Sequence, residues 1–128
     1  MQSIKKIRVM VVDDSILARR VIRDGLSAYS NMEIVGEAGN AVEAPLLRPD
    51  VMTLDVEMPG MNGIDFVKSL LPQYPVPIIL VSSLNLRVFD AMAVGAVDFV
   101  RKPETVGANQ RFIEALANKI VVASCARI

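Results

Sequence analysis

The chain has 128 residues, 52% apolar and 22% charged, which is the length and composition of one folded domain and argues against disorder. Fourteen basic residues balance fourteen acidic ones, so no net charge attracts nucleic acid or an anionic membrane surface. The sequence has one cysteine and no histidine, which excludes an internal disulfide and Ser-His-Asp or Cys-His catalysis within this chain.

Five apolar runs of strand length recur along the chain and predict five β-strands. In chain order they are Ile7 to Val12, Glu33 to Ala38, Val51 to Leu54, Pro77 to Val81 and Val97 to Val100. The first, third and fourth contain continuous apolar residues, as expected for strands that are buried on both faces of a parallel sheet. We therefore expect these three to be the central strands.

Amphipathic stretches between these runs predict helices. They are Ser15 to Ala28, Gly63 to Leu71, a shorter helix from Leu86 to Val94 that ends at Gly95, and Asn109 to Ala123. Asn40 to Leu47 is the weakest element, because Pro45 interrupts a helix that has barely begun. The alternation of strand and helix predicts an α/β fold, with an open sheet and helices on both faces.

Polar side chains follow four of the predicted strands, at the point where each strand ends. Asp13 and Asp14 end the first strand, Asp55 the third, Ser82 the fourth and Lys102 the fifth. The carboxyl ends of parallel strands meet at one edge of the sheet, where ligands of open α/β folds bind. The sequence therefore predicts that these side chains form one site.

This combination of side chains suits a metal ion and a phosphoryl group. Three neighbouring carboxylates repel one another, and a hard cation such as Mg²⁺ is the usual remedy. Lys102 and Ser82 add a positive charge and a hydroxyl donor, and a carboxylate can act as the nucleophile that becomes an aspartyl phosphate. The plainer alternative is that strand-end aspartates only cap helices, as Asp14 could for the helix near Ser15.

Three motifs resemble those of the receiver domains of two-component response regulators. They are Val11-Val12-Asp13-Asp14-Ser15, the stretch from Leu54 to Gly63, and Phe99-Val100-Arg101-Lys102-Pro103. Within that family, the stretches Thr53 to Pro59, Val81 to Leu84 and Val97 to Pro103 are most similar to the receiver half of the chemotaxis protein-glutamate methylesterases, the CheB type. The resemblance covers most of the chain and implies a flavodoxin-like, five-stranded parallel sheet of order 2-1-3-4-5.

The resemblance implies a role for each residue that matches a motif. Asp55 would be the phosphoacceptor and, with Asp14, a direct ligand of Mg²⁺. Asp13 would bind the metal through water, and Glu57 would bind it through its backbone carbonyl.

Three further roles are implied at the fourth and fifth strand ends. Lys102 would contact the phosphate, Ser82 would supply the switch hydroxyl that turns toward it, and Phe99 would be the aromatic residue that changes rotamer with it. The bond from Lys102 to Pro103 matches a position that is often cis in the family, and only an X-Pro bond adopts cis cheaply.

These roles predict a regulatory domain that takes its phosphoryl group from a histidine kinase. We expect residues 1–120 to be the receiver and residues 121–128 to begin a linker to an output domain, such as a methylesterase, whose catalytic triad this chain lacks. We expect no nucleic-acid binding, because the chain has no net charge. We expect a cytoplasmic protein without membrane insertion, because there is no signal peptide and no apolar run that could span a bilayer.

Two alternatives stay open from the sequence. The same carboxylates would suit an aspartyl-phosphate phosphatase, although those enzymes usually carry a second Asp where this chain has Glu57. The receiver could also stand alone or regulate a transcription factor. Arg19, Arg20 and Arg23 are expected to form a solvated helix face, with docking of a partner as the alternative.

Overall fold

The structure, a computed structural model, describes residues 6–38, 48–55, 57–58, 61–62, 67–68, 71–72, 75–82, 95–103 and 109–126. Its elements in chain order are β1 (Ile7–Val12), α1 (Ile16–Ser27), β2 (Met32–Ala38), β3 (Val51–Asp55), β4 (Glu57–Met58), β5 (Met61–Asn62), β6 (Ile78–Ser82), β7 (Asp98–Arg101) and α2 (Asn109–Ala126).

All five predicted strands are confirmed, each end within one residue of its expected place. The first and last predicted helices are found as α1 and α2. Of the helix predicted from Gly63 to Leu71, the helical residues described are Val67 and Lys68. The helix predicted from Leu86 to Val94 and the weak element from Asn40 to Leu47 lie outside the described residues.

The five longer strands form one parallel sheet in the order β2-β1-β3-β6-β7. Counted along the chain, this is the predicted order 2-1-3-4-5. The central positions belong to β1, β3 and β6, as their continuous apolar sequences indicate. A separate antiparallel pair, β4 and β5, begins two residues after Asp55.

Alternate residues of the strands pack into two core layers, one on each face of the sheet. Val9 and Val11 of β1 belong to the layer that α1 and α2 cover, whereas Met10 and Val12 belong to the opposite layer. Val67, in the short helical segment, is buried in that opposite layer. Burial on both faces explains why the central strands carry apolar residues without alternation.

Helix α1 begins at a defined cap and packs closely on α2. The Ser15 hydroxyl accepts a hydrogen bond from the Ala18 N–H at 3.1 Å, so Ser15, and not Asp14, caps the helix. A Cβ added to Gly25 would lie 2.6–2.9 Å from three side-chain carbons of Ile113. The small residue therefore sets how closely the two helices approach.

Two local features flank β7, one before its first residue and one after its last. Gly95 adopts a φ of 112°, which suits its expected place after a helix because only glycine takes this conformation at little cost. The bond between Lys102 and Pro103 is trans, which differs from the isomer that is frequent at this position in the resembling family.

Helix α2 continues beyond its predicted end at Ala123, to Ala126. Ala123 is buried in the core layer shared with α1, and this contact keeps the last turns of the helix on the domain. Within the described ranges, neither this helix nor α1 has the length and apolar content required to cross a membrane.

Candidate functional site

Three aspartates meet at the carboxyl edge of the sheet, as the sequence predicts. Asp13 and Asp14 follow β1, Asp55 ends β3, and one carboxylate oxygen from each lies within 4.8 Å of the others. Asp13 and Asp55 are buried, whereas Asp14 is exposed. The cluster is therefore open to solvent on the side of Asp14.

Asp13 is held by contacts on both its side chain and its backbone. Its Oδ1 accepts a hydrogen bond from the Ser15 N–H at 2.9 Å, and its Oδ2 forms an ion pair with Lys102 Nζ at 2.9 Å. Its backbone carbonyl accepts a hydrogen bond from the Arg19 guanidinium. These contacts fix the carboxylate of Asp13 while the chain turns from β1 into α1.

Lys102 is the positive charge of the site. Its Nζ lies 2.9 Å from Asp13 Oδ2 and 3.5 Å from Asp55 Oδ2, so one ammonium bridges two buried carboxylates. Partial burial disfavours the charged amine, but its hydrogen bond and Coulomb attraction to Asp13, and then to Asp55, outweigh that effect and raise the pKa of Lys102. The lysine is therefore charged at neutral pH.

The backbone of Lys102 is tied to the strand that carries Ser82. The Lys102 N–H donates to the Ser82 carbonyl at 2.8 Å, which extends the pairing of Ser82 with Arg101 by one residue beyond the ladder of β6 and β7. Ser82 is buried at the end of β6. The serine and the lysine thus reach the same sheet edge from neighbouring strands.

Two other residues of the predicted site lie on β4 and β7. Glu57 lies in β4, two residues after Asp55 in the chain. Phe99 lies on β7, partly buried against the core layer that contains Leu80. It also lines an open cleft of about 360 Å³ between β7 and α2, together with Pro103 and Phe112.

An ion-pair network that the sequence analysis missed adjoins the site. Arg19 Nε lies 3.7 Å from Glu37 Oε1, and Arg23 Nη1 donates to Glu37 Oε2 at 3.1 Å. The predicted solvent-exposed helix face is confirmed for Arg20, which is exposed. It is wrong for Arg19, whose side chain is only 18% exposed and turns toward Asp13. The spacing of Arg19 and Arg23 by four residues, which places them on one helix face, was the available signal.

The chemistry of the cluster fits a hard divalent cation. All three converging groups offer carboxylate oxygens, which is the donor type that Mg²⁺ prefers. One of them, Asp14, faces solvent, so an ion could bind with part of its water shell retained. Lys102 stands on the buried side, where it can neutralise negative charge without occupying the open side.

Comparison with known proteins identifies the family. The response regulator receiver domain model matches residues 9–116. A protein-glutamate methylesterase/protein-glutamine glutaminase of Syntrophotalea carbinolica is 44% identical over 97% of this chain, and the chain spans 38% of the length of that relative.

Solved structures agree with that match. The response regulator domain of Thermotoga maritima CheB is 35% identical, with a TM-score of 0.90 over 97% of this chain and 100% of its own. A structure of the P1 domain of CheA3 in complex with CheY6 from R. sphaeroides matches 95% of this chain and 99% of its own, with a TM-score of 0.77 and 26% identity. The chain therefore belongs to the response regulator receiver domain family and is similar to the receiver domains of CheB methylesterases.

Proposed function

We propose that Asp55 is the phosphoacceptor of a receiver domain that switches an output domain. The observation that carries this proposal is that the buried Asp55 carboxylate lies 3.5 Å from the Lys102 ammonium and within 4.8 Å of carboxylate oxygens of Asp13 and Asp14. This arrangement supplies a nucleophile, a positive charge for the phosphoryl oxygens and oxygen ligands for a cation. A carboxylate that only capped a helix would not require these neighbours.

In this mechanism an Asp55 carboxylate oxygen forms a bond to phosphorus while the phosphorus–nitrogen bond of a donor phosphohistidine breaks. The histidine leaves as neutral imidazole, with a proton taken up from solvent on one ring nitrogen, and the product is an acyl phosphate. Lys102 would hold a phosphoryl oxygen, because its ammonium already lies within contact distance of Asp55. The absence of histidine from this chain means that the donor must be a separate protein or domain.

Mg²⁺ is the cation that we assign to the acidic cluster. Asp14 and Asp55 would bind it directly, Asp13 through water and Glu57 through its backbone carbonyl, as the resemblance to the family implies. The bound cation would supply charge neutralisation for the incoming phosphoryl group. The oxygen-only donor set and the solvent access at Asp14 support this assignment.

Ser82 and Phe99 are the residues that we propose to carry the signal away from Asp55. The Ser82 hydroxyl would turn toward the phosphoryl group, and the Phe99 ring would change rotamer in response. Phe99 is only partly buried on the edge strand β7, and Ser82 lies on the adjacent strand β6. Phosphorylation would shift the balance between two pre-existing arrangements of this face.

A histidine kinase is the proposed phosphodonor. Ile16 and Leu17, at the start of α1 close to Asp14 in the chain, are 67% and 72% exposed, and we propose that this apolar pair contributes to the contact with the kinase. The similar CheY6 was solved in complex with the P1 domain of CheA3. The proposed contact would bring the phosphohistidine of the kinase to the open side of the acidic cluster.

The proposed output is a protein-glutamate methylesterase in the cytoplasm. This chain spans 38% of the length of the Syntrophotalea relative, so the rest of such a protein would carry the esterase. We propose residues 1–120 as the receiver and residues 121–128 as the beginning of the linker. Because α2 continues to Ala126, that linker would start as a helical extension of the receiver.

The test is chemical labelling of the purified domain. The protein is incubated with a small-molecule phosphodonor with and without Mg²⁺, the acyl phosphate is reduced with borohydride, and the modified residue is located by mass spectrometry. We expect Mg²⁺-dependent labelling at Asp55. The matched control is Asp98→Asn, because Asp98 is a partly exposed aspartate that forms its own lysine ion pair outside the cluster.

Asp55→Asn should abolish the label, and Asp98→Asn should leave it unchanged. Labelling that persists in Asp55→Asn would refute the assignment of the phosphoacceptor. Rapid multiple turnover of phosphomonoesters by the wild-type protein would instead favour the phosphatase alternative. The same assay therefore separates a regulatory acceptor from an enzyme that uses the same nucleophile.

A further inference from the structure

Arg19 connects the acidic cluster with Glu37 of β2. The Arg19 backbone N–H donates to the Ser15 carbonyl at 3.0 Å, which places the residue in the first turn of the helix. From there its side chain reaches back and donates to the backbone carbonyl of Asp13. The guanidinium therefore binds the peptide group that joins Asp13 to Asp14.

Glu37 anchors the other side of the same guanidinium. Its carboxylate lies 3.7 Å from Arg19 Nε and accepts a hydrogen bond from Arg23 Nη1 at 3.1 Å. Glu37 belongs to β2 and pairs with Val11 in the sheet. Since Val11 precedes Asp13 by two residues, β2 holds Arg19 at a fixed distance from the end of β1.

We infer that Arg19, anchored by Glu37, is a positioning residue that sets the orientation of Asp14, the exposed aspartate of the proposed metal site after β1. This inference rests on the proposed Mg²⁺ site and goes beyond it. The Asp13 side chain is already fixed by Ser15 and Lys102, but the exposed Asp14 takes its direction from the peptide group that Arg19 binds. Holding the Asp13 carbonyl fixes the peptide plane that leads to Asp14, and so fixes the backbone position from which the Asp14 side chain extends.

Lysine could not replace arginine in this role. The two contacts of Arg19 use different nitrogens of the planar guanidinium, Nη1 toward Asp13 and Nε toward Glu37. A lysine keeps the charge but presents one compact ammonium on a flexible stem, so it cannot hold both partners in a fixed geometry. Arg19→Lys thus separates the positioning effect from the electrostatic effect of the positive charge.

The experiment measures Mg²⁺ binding by NMR, without phosphorylation. Amide resonances of Asp13 to Ser15 are followed during titration of the wild-type protein, Arg19→Lys and the control Arg20→Lys, which changes the exposed neighbouring arginine in the same way. We expect Arg19→Lys to raise the Mg²⁺ dissociation constant by about tenfold, the usual cost of losing a group that orients a metal ligand. The Asp14 amide shift of the metal-free protein should also change, and Arg20→Lys should alter neither quantity.

A second variant, Glu37→Gln, tests the anchor. We expect Glu37→Gln to weaken Mg²⁺ binding in the wild-type background. In the Arg19→Lys background the further loss of Mg²⁺ affinity should be smaller, because the guanidinium that Glu37 positions is already absent. Equal losses in both backgrounds would indicate a simple long-range charge effect and overturn the role of Glu37. Urea unfolding of each variant defines conditions under which all the proteins are folded.

Two results distinguish the failure of this inference from the failure of the metal site. If the wild-type protein responds to Mg²⁺ and folded Arg19→Lys binds it equally well, Arg19 has a structural role only and the inference is wrong. If the wild-type protein gives no response at Asp13 to Ser15, the proposed metal site is itself wrong and the inference falls with it.

Discussion

Lys102, the partly buried lysine of the acidic cluster, provides a quantitative test of the site. Replacing Lys102 with methionine keeps much of the apolar stem but removes the ammonium that contacts the carboxylates of both Asp13 and Asp55. At an effective dielectric constant of about 20, each of these contacts corresponds to about 5 kcal/mol of gross Coulomb energy. Desolvation of the charges cancels much of that energy, because both carboxylates are buried.

The net loss expected for Lys102→Met is about 3–5 kcal/mol in the free energy of unfolding, as for other buried ion pairs that lose one partner. The matched control is Lys119→Met. Lys119 Nζ lies closer to its partner, 2.7 Å from Asp98 Oδ1, but the two side chains are 37% and 38% exposed. The control should therefore cost no more than about 1 kcal/mol.

The assay is urea unfolding followed by circular dichroism at pH 7 in the presence of a chelator. With a slope of about 2 kcal/mol per molar urea, the midpoint of Lys102→Met should fall by about 1.5–2.5 M. Saturating Mg²⁺ should restore part of this loss, because the cation neutralises the same carboxylates. Equal losses for the two lysine variants would refute the argument that burial makes the Lys102 contacts strong.

The stability difference between the wild-type protein and Lys102→Met should change with pH in a defined direction. The folded-state pKa of Lys102 is raised, so its stabilising contribution is complete below its unfolded pKa of about 10.4 and is lost as the pH rises through the folded-state value. The stability difference between wild type and Lys102→Met should thus stay constant from neutral pH to about pH 9 and decrease above about pH 10.5. A difference that disappears below pH 9 would contradict the assigned direction.

Three further substitutions test the packing, each measured by its urea midpoint. Thr53→Val should stabilise the domain by about 1 kcal/mol, because the buried Thr53 hydroxyl has no hydrogen-bond partner in the described part of the chain; a loss of stability would contradict this. Gly25→Ala should destabilise the domain by about 1 kcal/mol, because crowding against Ile113 exceeds the gain in helix propensity. The double variant with Ile113→Ala should lose less stability than the sum of the two single losses, because the smaller side chain relieves that crowding. Ser15→Ala should cost about 1 kcal/mol through the lost cap of α1, and an unchanged midpoint would refute the cap.

The fold was predictable because its central strands are buried on both faces. That burial demands continuous apolar sequence, and the runs at β1, β3 and β6 identified the middle of the sheet, whereas the strand order followed from the resemblance to receiver domains. The small errors at strand ends have a physical origin. Asp55 and Ser82 are polar, so the apolar pattern stops before them, but each still pairs with the neighbouring strand as part of the ladder.

The acidic cluster was predictable from the topology of the sheet, whereas the ion pairs of Arg19 and Glu37 that adjoin it were not. Parallel strands bring their carboxyl ends together whatever lies between them, so Asp13, Asp55 and Lys102 could be grouped from strand positions alone. Arg19 and Glu37 are separated by a helix and a turn, and neither ends a strand. Their pairing depends on the packing of α1 against β2, which local spacing does not encode.

The parallel register described above has a consequence for sequence change. Ser82 pairs with Arg101, and the Lys102 N–H continues that ladder, so the serine and the lysine are aligned by hydrogen bonds and not by their distance along the chain. Insertions in the connection between β6 and β7 would leave this alignment intact. One residue inserted within β7 would instead turn Lys102 to the opposite face and remove its charge from Asp55.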